Sequence, residues 1–266
     1  MNFVLAPFRL LWQHRRLLHS TTRNELKGRF AGSVFGVVWL LGYPMLLLAA
    51  YASMFVFVFK AQPAGFASSF DYVLLIFCGL IPFLGFAESL GSGTPSIAAN
   101  ASLIKNTLFP IELVPVRAVL VGQAVQVVGS GILLVAITAN GMLTPWVLLL
   151  PVVWGLQLMF TLGLVWIVSS VNVYMRDLQQ IVSVLVLFLM MASPIAVPAY
   201  DLSGSLAAIS YCNPLWYVIA CYQDLVVHGR APIASAFGGL AVLGFGSFLI
   251  GHWFFGRMKR VLVDNV

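Results

Sequence analysis

Residues 34–59 read VFGVVWLLGYPMLLLAAYASMFVFVF, twenty-six positions without a single charged side chain. Coiled as a helix at about 1.5 Å per residue, the run exceeds the roughly 30 Å hydrocarbon thickness of a bilayer. In lipid a segment must satisfy its own backbone hydrogen bonds, and a helix does so internally. The run is therefore read as a membrane span that crosses with tilt. Pro44 inside it predicts a kink, because the ring removes a backbone donor.

The same pattern recurs along the chain. Further apolar runs cover about 72–98 (with Pro82 inside), 113–138, 146–171, 181–198 (closed by Pro194 and Pro198) and 236–256. A tight turn at 139–142 joins the third and fourth. The last run carries Gly238, Gly239, Gly244 and Gly246, small residues that allow helices to pack closely in lipid. The predicted fold class is all-α integral membrane, with six transmembrane helices. Composition agrees: 61% of the 266 residues are hydrophobic and 8% charged, against roughly 25% charged in soluble domains. So few charges cannot cover a water-facing surface.

Residues 1–30 differ from the rest, dividing the chain into an N-terminal segment and a six-span domain at 31–266. Val4, Phe8, Leu11 and Leu18 recur at helical spacing, interrupted by Arg15, and Arg9, Arg16, Arg23, Lys27 and Arg29 surround them. An amphipathic basic helix of this kind lies in the membrane interface rather than across it. The first twenty residues hold neither an uninterrupted apolar core nor a cleavage site, so the first span is expected to serve as the targeting signal.

Charge sets the orientation. With the N-terminus inside, twelve of the fourteen Lys and Arg fall on the cytoplasmic side, and only Lys60 and Arg230 lie outside. Both termini are thus expected in the cytoplasm, and the net charge of +6 is assigned to topology, not to nucleic acid. The long segment 199–235 is rich in apolar and aromatic residues. It reads as two short helices dipping back toward the bilayer, the second opening at Asn213-Pro214 and closing at His228-Gly229.

Catalytic signatures are missing. There is no phosphate loop: Gly91, Ser92, Gly93 and Thr94 lack the lysine. His14, His19, His228 and His252 show no metal-ligand spacing, no GxSxG occurs, and Cys78, Cys212 and Cys221 are expected to stay unpaired. Glu88 lies inside the second run and is a functional candidate, since an intramembrane carboxylate is costly; the bland alternative is a hydrated position near the cytoplasmic end. Arg117 is adequately explained by snorkelling. The many aromatics, Phe55, Phe59, Tyr72 and Phe83 among them, form either an interfacial belt or a path on which sugars stack.

Several segments resemble one family in order. Arg23 to Trp39 (RNELKGRFAGSVFGVVW), then Pro44 and the Phe-rich run to Lys60, resemble the start of type-2 ABC exporter permeases. So do Gly79 to Phe83 (GLIPF), Asn100 to Leu113 (NASLIKNTLFPIEL), Arg176-Asp177, Ser193-Pro194-Ile195, Asn213-Pro214 and Gly229. These permeases are the membrane subunits that export polysaccharides such as O-antigen (the Wzm type). One departure is Gln223-Asp224, where family members often carry an arginine.

The resemblance implies a homodimer in the bacterial inner membrane, paired with two copies of a separate ATPase subunit. ATP and magnesium belong to that partner, and this chain would hold no cofactor and perform no chemistry. It implies partner contact through Arg23, Lys27 and Arg29, through Leu103, Ile104, Lys105, Asn106 and Phe109, and through Arg176 and Asp177. Channel or gate candidates are Phe55, Phe59, Tyr72, Phe83 and Glu88, with Tyr211, Asn213, Pro214, Trp216 and Tyr217 on re-entrant gate helices between spans five and six. The implied cargo is a lipid-linked polysaccharide (O-antigen of lipopolysaccharide). Alternatives are teichoic acid, capsule or a small lipophilic compound. From other classes come a membrane-embedded polyprenyl-lipid enzyme, which needs clustered Asp, His or Arg, and a gradient-coupled carrier, which needs several embedded ionisable groups.

Overall fold

The computed structural model describes residues 2–54, 69–106, 109–201 and 204–265. The candidates Phe55 and Phe59 lie outside the described residues. Every long regular element described is a helix. The N-terminal segment forms α1 (Asn2–Gln13) and α2 (Arg15–Arg29), two helices where a single amphipathic one was predicted. They meet at His14, which leaves helical geometry and donates from Nδ1 to the Leu10 carbonyl at 3.1 Å. A turn through Gly32 and Gly36, both at positive φ, then leads into a 3-10 turn at Gly36–Val38 and α3 (Trp39–Ser53). Left-handed backbone is open to glycine without a Cβ penalty.

The next elements are α4 (Ser69–Gly93), α5 (Ser96–Ala99), α6 (Ala101–Asn106), α7 (Leu113–Ala139) and, after a 3-10 turn at Pro145–Leu149, α8 (Leu150–Tyr174). Then come α9 (Leu178–Ala192), α10 (Gly204–Cys212), α11 (Pro214–Val226) and α12 (Ala234–Asn265). Among the described residues, five helical stretches are long and apolar enough to cross a membrane: Gly36–Ser53, Ser69–Gly93, Leu113–Ala139, Pro145–Tyr174 and Ala234–Lys259. The expected fifth span is shorter than predicted. It forms α9, whose 15 residues reach only about 22 Å. The physical cause is Pro194: a residue before proline is driven to extended backbone, and Ser193 is extended at φ −88°, ψ 139°.

α4, α7, α8 and α12 build the bundle, and α11 packs among α4, α8 and α12 at one end. α8 and α12 touch backbone to backbone. A Cβ on Gly163 would lie 2.2 Å from the Ser247 carbonyl, and one on Gly251 would lie 2.2 Å from the Gly163 oxygen. Of the glycines expected to permit such packing, Gly244 does so against Leu156, whereas Gly238 and Gly246 face open space. Between α4 and α7, Gly122 meets the Ser89 backbone. By contrast α3 and α9 are barely covered: Pro44 is the buried residue of one and Val182 of the other.

Amides tie the middle of the bundle together. Gln126 donates to Gln157 Oε1 at 2.7 Å and to the Tyr222 hydroxyl at 2.9 Å; Gln157 donates to the Pro82 carbonyl at 2.8 Å. Gln123 reaches the Gly85 carbonyl and Ser89, and accepts from the Trp154 indole at 2.9 Å. Four helices are thereby cross-linked where no water is at hand to replace a lost bond.

Candidate functional site

Two groups of side chains stand out, at opposite ends of the bundle. The first is a rim of ion pairs. Arg117, in the first turn of α7, is mostly buried; its Nε lies 2.5 Å from Glu25 of α2, off hydrogen-bond alignment, and its Nη2 donates to Asn100 Oδ1 at 2.8 Å. Its guanidinium also sits 5.9 Å from the Phe109 ring centroid. Arg29 at the end of α2 pairs with Glu88 near the end of α4. Lys259 of α12 pairs with Glu112 at 2.5 Å. The rim thus joins α2, the 100–112 connection and the end of α12 to the bundle.

The residues proposed for ATPase contact divide accordingly. Arg23, Lys27 and Lys105 are exposed, as are Arg176 and Asp177 in the α8–α9 turn. Arg29 is exposed yet already paired. Leu103 and Ile104 are half-buried, Ile104 against the core, and Asn106 closes α6. Phe109 is half-buried and leans on Arg117. Snorkelling is not the role of Arg117: its charge is turned inward onto Glu25 and Asn100 rather than out to water, a correction that needed α2 in place. Glu88 takes the hydrated alternative. It lies at the α4 terminus, partly exposed, and meets a cation.

The second group surrounds the α10–α11 hairpin. Asn213 caps α11 by accepting from the Leu215 amide at 3.0 Å, and its side-chain NH2 donates to Ser193 Oγ at 2.9 Å and the Leu189 carbonyl at 3.2 Å. Pro214 occupies the first turn, where its missing N–H costs nothing. Trp216 is buried edge-on to the rings of Tyr200, Tyr211 and Tyr217 at 5.6, 4.7 and 5.2 Å, and its indole donates to the Ala199 carbonyl at 3.1 Å. Tyr211 is exposed and Tyr217 half-buried. Tyr72 and Phe83 are buried within the chain's own core, Tyr72 donating to the Ala196 carbonyl at 2.9 Å. A cavity of about 770 Å³ lies below the hairpin, with Phe86, Phe160, Leu189, Tyr211, Pro214 and Tyr217 in its walls.

At the far end of α11 sits Asp224, with no exposed surface. Its carboxylate accepts from Tyr200 Oη at 2.7 Å, Arg230 Nε at 2.8 Å and the Ile233 amide at 3.1 Å, with His228 Nδ1 at 3.6 Å. Beside it Gln223 receives the Ala199 amide at 2.8 Å and donates to the Pro194 and Val197 carbonyls. Burial, then the hydrogen bond to and charge of Asp224, push the Tyr200 phenol above its usual range, against the pull of Arg230. The start of α11 is thus capped by a side chain, its last turn is closed by the amides of Val227, His228 and Arg230, and Gln223 and Asp224 tie down the segments at Ala199 and Ile233.

The family model for ABC-2 type transporters matches residues 16–226. The chain belongs to that family. Relatives of the ABC-2 chain include the O-antigen export system permease protein RfbA of Myxococcus xanthus, 32% identical over 243 residues, or 90% of this chain and 91% of the relative. Two proteins of the same name from Klebsiella pneumoniae are 27% identical over 245 residues (91% of this chain, 92% of the relative) and 29% over 216 residues (80% and 81%). The ABC-2 match takes in nearly all of α2, the hairpin, and the rim apart from Lys259, and the family implies a partner ATPase and a membrane setting.

Within this ABC-2 permease several side chains escaped the sequence reading. Glu88 is the carboxylate that the sequence singles out, yet Asp224, noted there only as a departure from the family, is buried more deeply. Gln123, Gln126 and Gln157 interrupt apolar runs, and the three-residue spacing of the first two puts them on one helix face. That was a readable signal. The convergence of Tyr200, Arg230 and Ile233 on Asp224 had none, since their partners come from separate loops.

Proposed function

We propose that this chain is the permease subunit of an exporter that moves a lipid-linked polysaccharide of the O-antigen class across the inner membrane, driven by ATP bound with magnesium on a separate subunit. The observation that carries the reading is likeness over nine-tenths of the chain to permeases of that name, in a protein whose exposed cations gather around α2 and α6. The working assembly is a homodimer with two ATPase subunits. Its N- and C-termini are cytoplasmic, residues 1–30 form the interfacial segment, and α9 completes a sixth crossing together with the residues that follow it up to Pro198. The α10–α11 hairpin re-enters from the outer side as the gate.

Force enters through α2 and the loop at 101–109. Because Glu25–Arg117 and Arg29–Glu88 fasten α2 to α7 and α4, a push on α2 moves those helices as one body. The amide network passes the movement to α8 and to Tyr222 on the hairpin. The two sparsely covered helices, α3 and α9, are the faces left for the second copy and the cargo path. Asp224, fully paired, is a structural anchor rather than a carrier's proton site.

The test is export in a strain lacking this gene. The native chain with its ATPase should restore surface polysaccharide, and the same chain with a hydrolysis-dead ATPase should accumulate lipid-linked polymer inside. Export that continued with the dead ATPase and stopped on collapse of the proton gradient would refute the proposal.

A further inference from the structure

The first helix turns an apolar stripe away from the bundle. In α1, Leu5 is 61% exposed and Trp12 69%, with Phe8 exposed between them. Steps of three and four residues put all three on one helix face. On the opposite side Pro7 is buried, and Leu10 and Leu11 pack against the core. Contacts fix the depth of the stripe. The Phe8 ring sits 5.1 Å from that of Phe248 on α12, within the apolar stretch Ala234–Lys259. Phe248 touches Trp166 at 5.3 Å, the Trp166 indole donates to the Glu112 carbonyl at 3.1 Å, and Glu112 holds Lys259 on the charged rim. Two ring contacts thus separate α1 from the ion-paired rim. That is the depth at which headgroups give way to acyl chains, where an amphipathic helix seats its apolar face.

Beside the stripe stand cations without carboxylates. Arg9 is exposed on α1, and Arg15 and Arg16 are exposed at the start of α2. Residues 1–24 contain no Asp or Glu. Among the described residues none of these three arginines has an ion pair, whereas Arg29, Arg117, Arg230 and Lys259 each have one. Arg15 lies over the Trp12 ring, 4.5 Å from its centroid, and donates to the Trp12 carbonyl at 3.0 Å. Charge and apolar stripe are therefore joined at one place. The break at His14 lets α1 follow the bilayer while α2 keeps to the rim. Such a face suits a lipid surface that carries net negative charge. The ATPase would meet the cations, but not a stripe seated beside a membrane-spanning helix.

We infer that α1 with the first turn of α2 is a docking face for anionic phospholipid, with chains against Leu5, Phe8 and Trp12 and headgroups at Arg9, Arg15 and Arg16. The inference deepens the interfacial reading of residues 1–30 and rests on it. It assigns a lipid preference to α1 that is independent of which cargo is exported.

The test places the full chain with its ATPase in nanodiscs of phosphatidylcholine containing a minor fraction of phosphatidylglycerol. Bromines are carried near the top of the chains of phosphatidylglycerol or of an equal amount of the phosphatidylcholine. Trp12 emission is the difference between each protein and its Trp12→Phe counterpart. Bromine on either lipid should quench it, which tests the interfacial reading. Quenching should be several-fold stronger when phosphatidylglycerol carries the bromine, because each cation near an anionic surface contributes a factor of about five. That difference tests the inference itself. Arg9→Gln combined with Arg16→Gln should remove the preference, and Arg257→Gln, at an exposed cation of α12, should keep it. Salt near 1 M, where screening acts within about 3 Å, should abolish the preference in the native chain, so the result stands even if the double variant fails to assemble. Equal quenching by the two lipids would overturn the inference, as would a preference untouched by salt or by the assembled double variant. Absence of quenching by either lipid would mean that the ATPase or a second copy covers the face, and would overturn it together with the interfacial reading.

Discussion

Replacing Arg117 with alanine should loosen α2 from the bundle by an amount that can be worked from its contacts. The guanidinium donates to Asn100 at 2.8 Å and faces Glu25 at 2.5 Å, its own side chain 13% exposed and that of Glu25 38%. A hydrogen bond to a charged group is worth about 1.5–3 kcal/mol. The Glu25 pair adds less than about 1 kcal/mol, because Glu25 can rehydrate and salt screens it. Only the part that bridges α2 to α7 bears on α2 itself, while loss of Asn100 loosens the connection on which it rests. The restraint removed from α2 itself is therefore up to about 1 kcal/mol, so its amides should exchange with deuterium up to roughly 5-fold faster. The assay is hydrogen exchange followed at 15–29 in the assembled complex, alongside export. The exchanged pair Glu25→Arg with Arg117→Glu should recover part of the protection, whereas either single change should not. Unchanged exchange in Arg117→Ala, or a swap no better than the sum of its parts, would refute the view of α2 as a clamped lever.

Three further outcomes follow from the packing. Gly163→Leu should prevent stable assembly, because its Cβ falls on the Ser247 backbone, while Gly246→Leu should leave the melting temperature within a degree or two; equal behaviour of the two would contradict the α8–α12 contact. Arg230→Gln leaves the Asp224 carboxylate fully buried without its cation and should cost about 3 kcal/mol or more, read as increased proteolysis of the 199–235 loop; Asp224→Asn should show a smaller defect, because the Arg230 side chain is 49% exposed and can rehydrate. The pH dependence of that loop is set by Tyr200. Its phenol is raised in the folded state, so the folded protein holds the proton more tightly than the unfolded chain. Its contribution is complete below the unfolded value near 10 and declines as pH rises toward the folded value. Loop protection should be flat from about pH 6 to 9 and erode above about 10; erosion that begins near neutrality would point to another group.

Much of this protein is written in one dimension. Membrane residence follows from the uncharged runs, because a helix is the structure that satisfies a backbone in lipid, and length alone shows which runs suffice. Pro194 announces the end of α9 through a local steric rule. Asn213-Pro214 announces the start of α11, since a side-chain acceptor followed by a residue without an N–H is what a helix start uses. Of the candidate site, the sequence shows where charges stand but not what they meet: Arg23, Lys27 and Lys105, expected as ATPase contacts, are exposed, and Glu88, a functional candidate, takes the bland alternative of a position near a span end.

Tertiary structure decided what those charges and amides do. Arg117 looked like a snorkelling residue because its partners lie 92 and 17 positions away, at Glu25 and Asn100, and sequence spacing is blind to such pairs. Phe83 and Tyr72 looked like channel lining, but the packing of α4 among its neighbours buried both. Which of the last span's glycines matter was equally hidden, since Gly244 and Gly246 are chemically identical and differ only in whether another backbone stands opposite. Hydrophobicity and backbone hydrogen bonding act on each segment alone and so can be read from it. Pairing and close contact depend on which segments meet, and that is settled only when the helices pack.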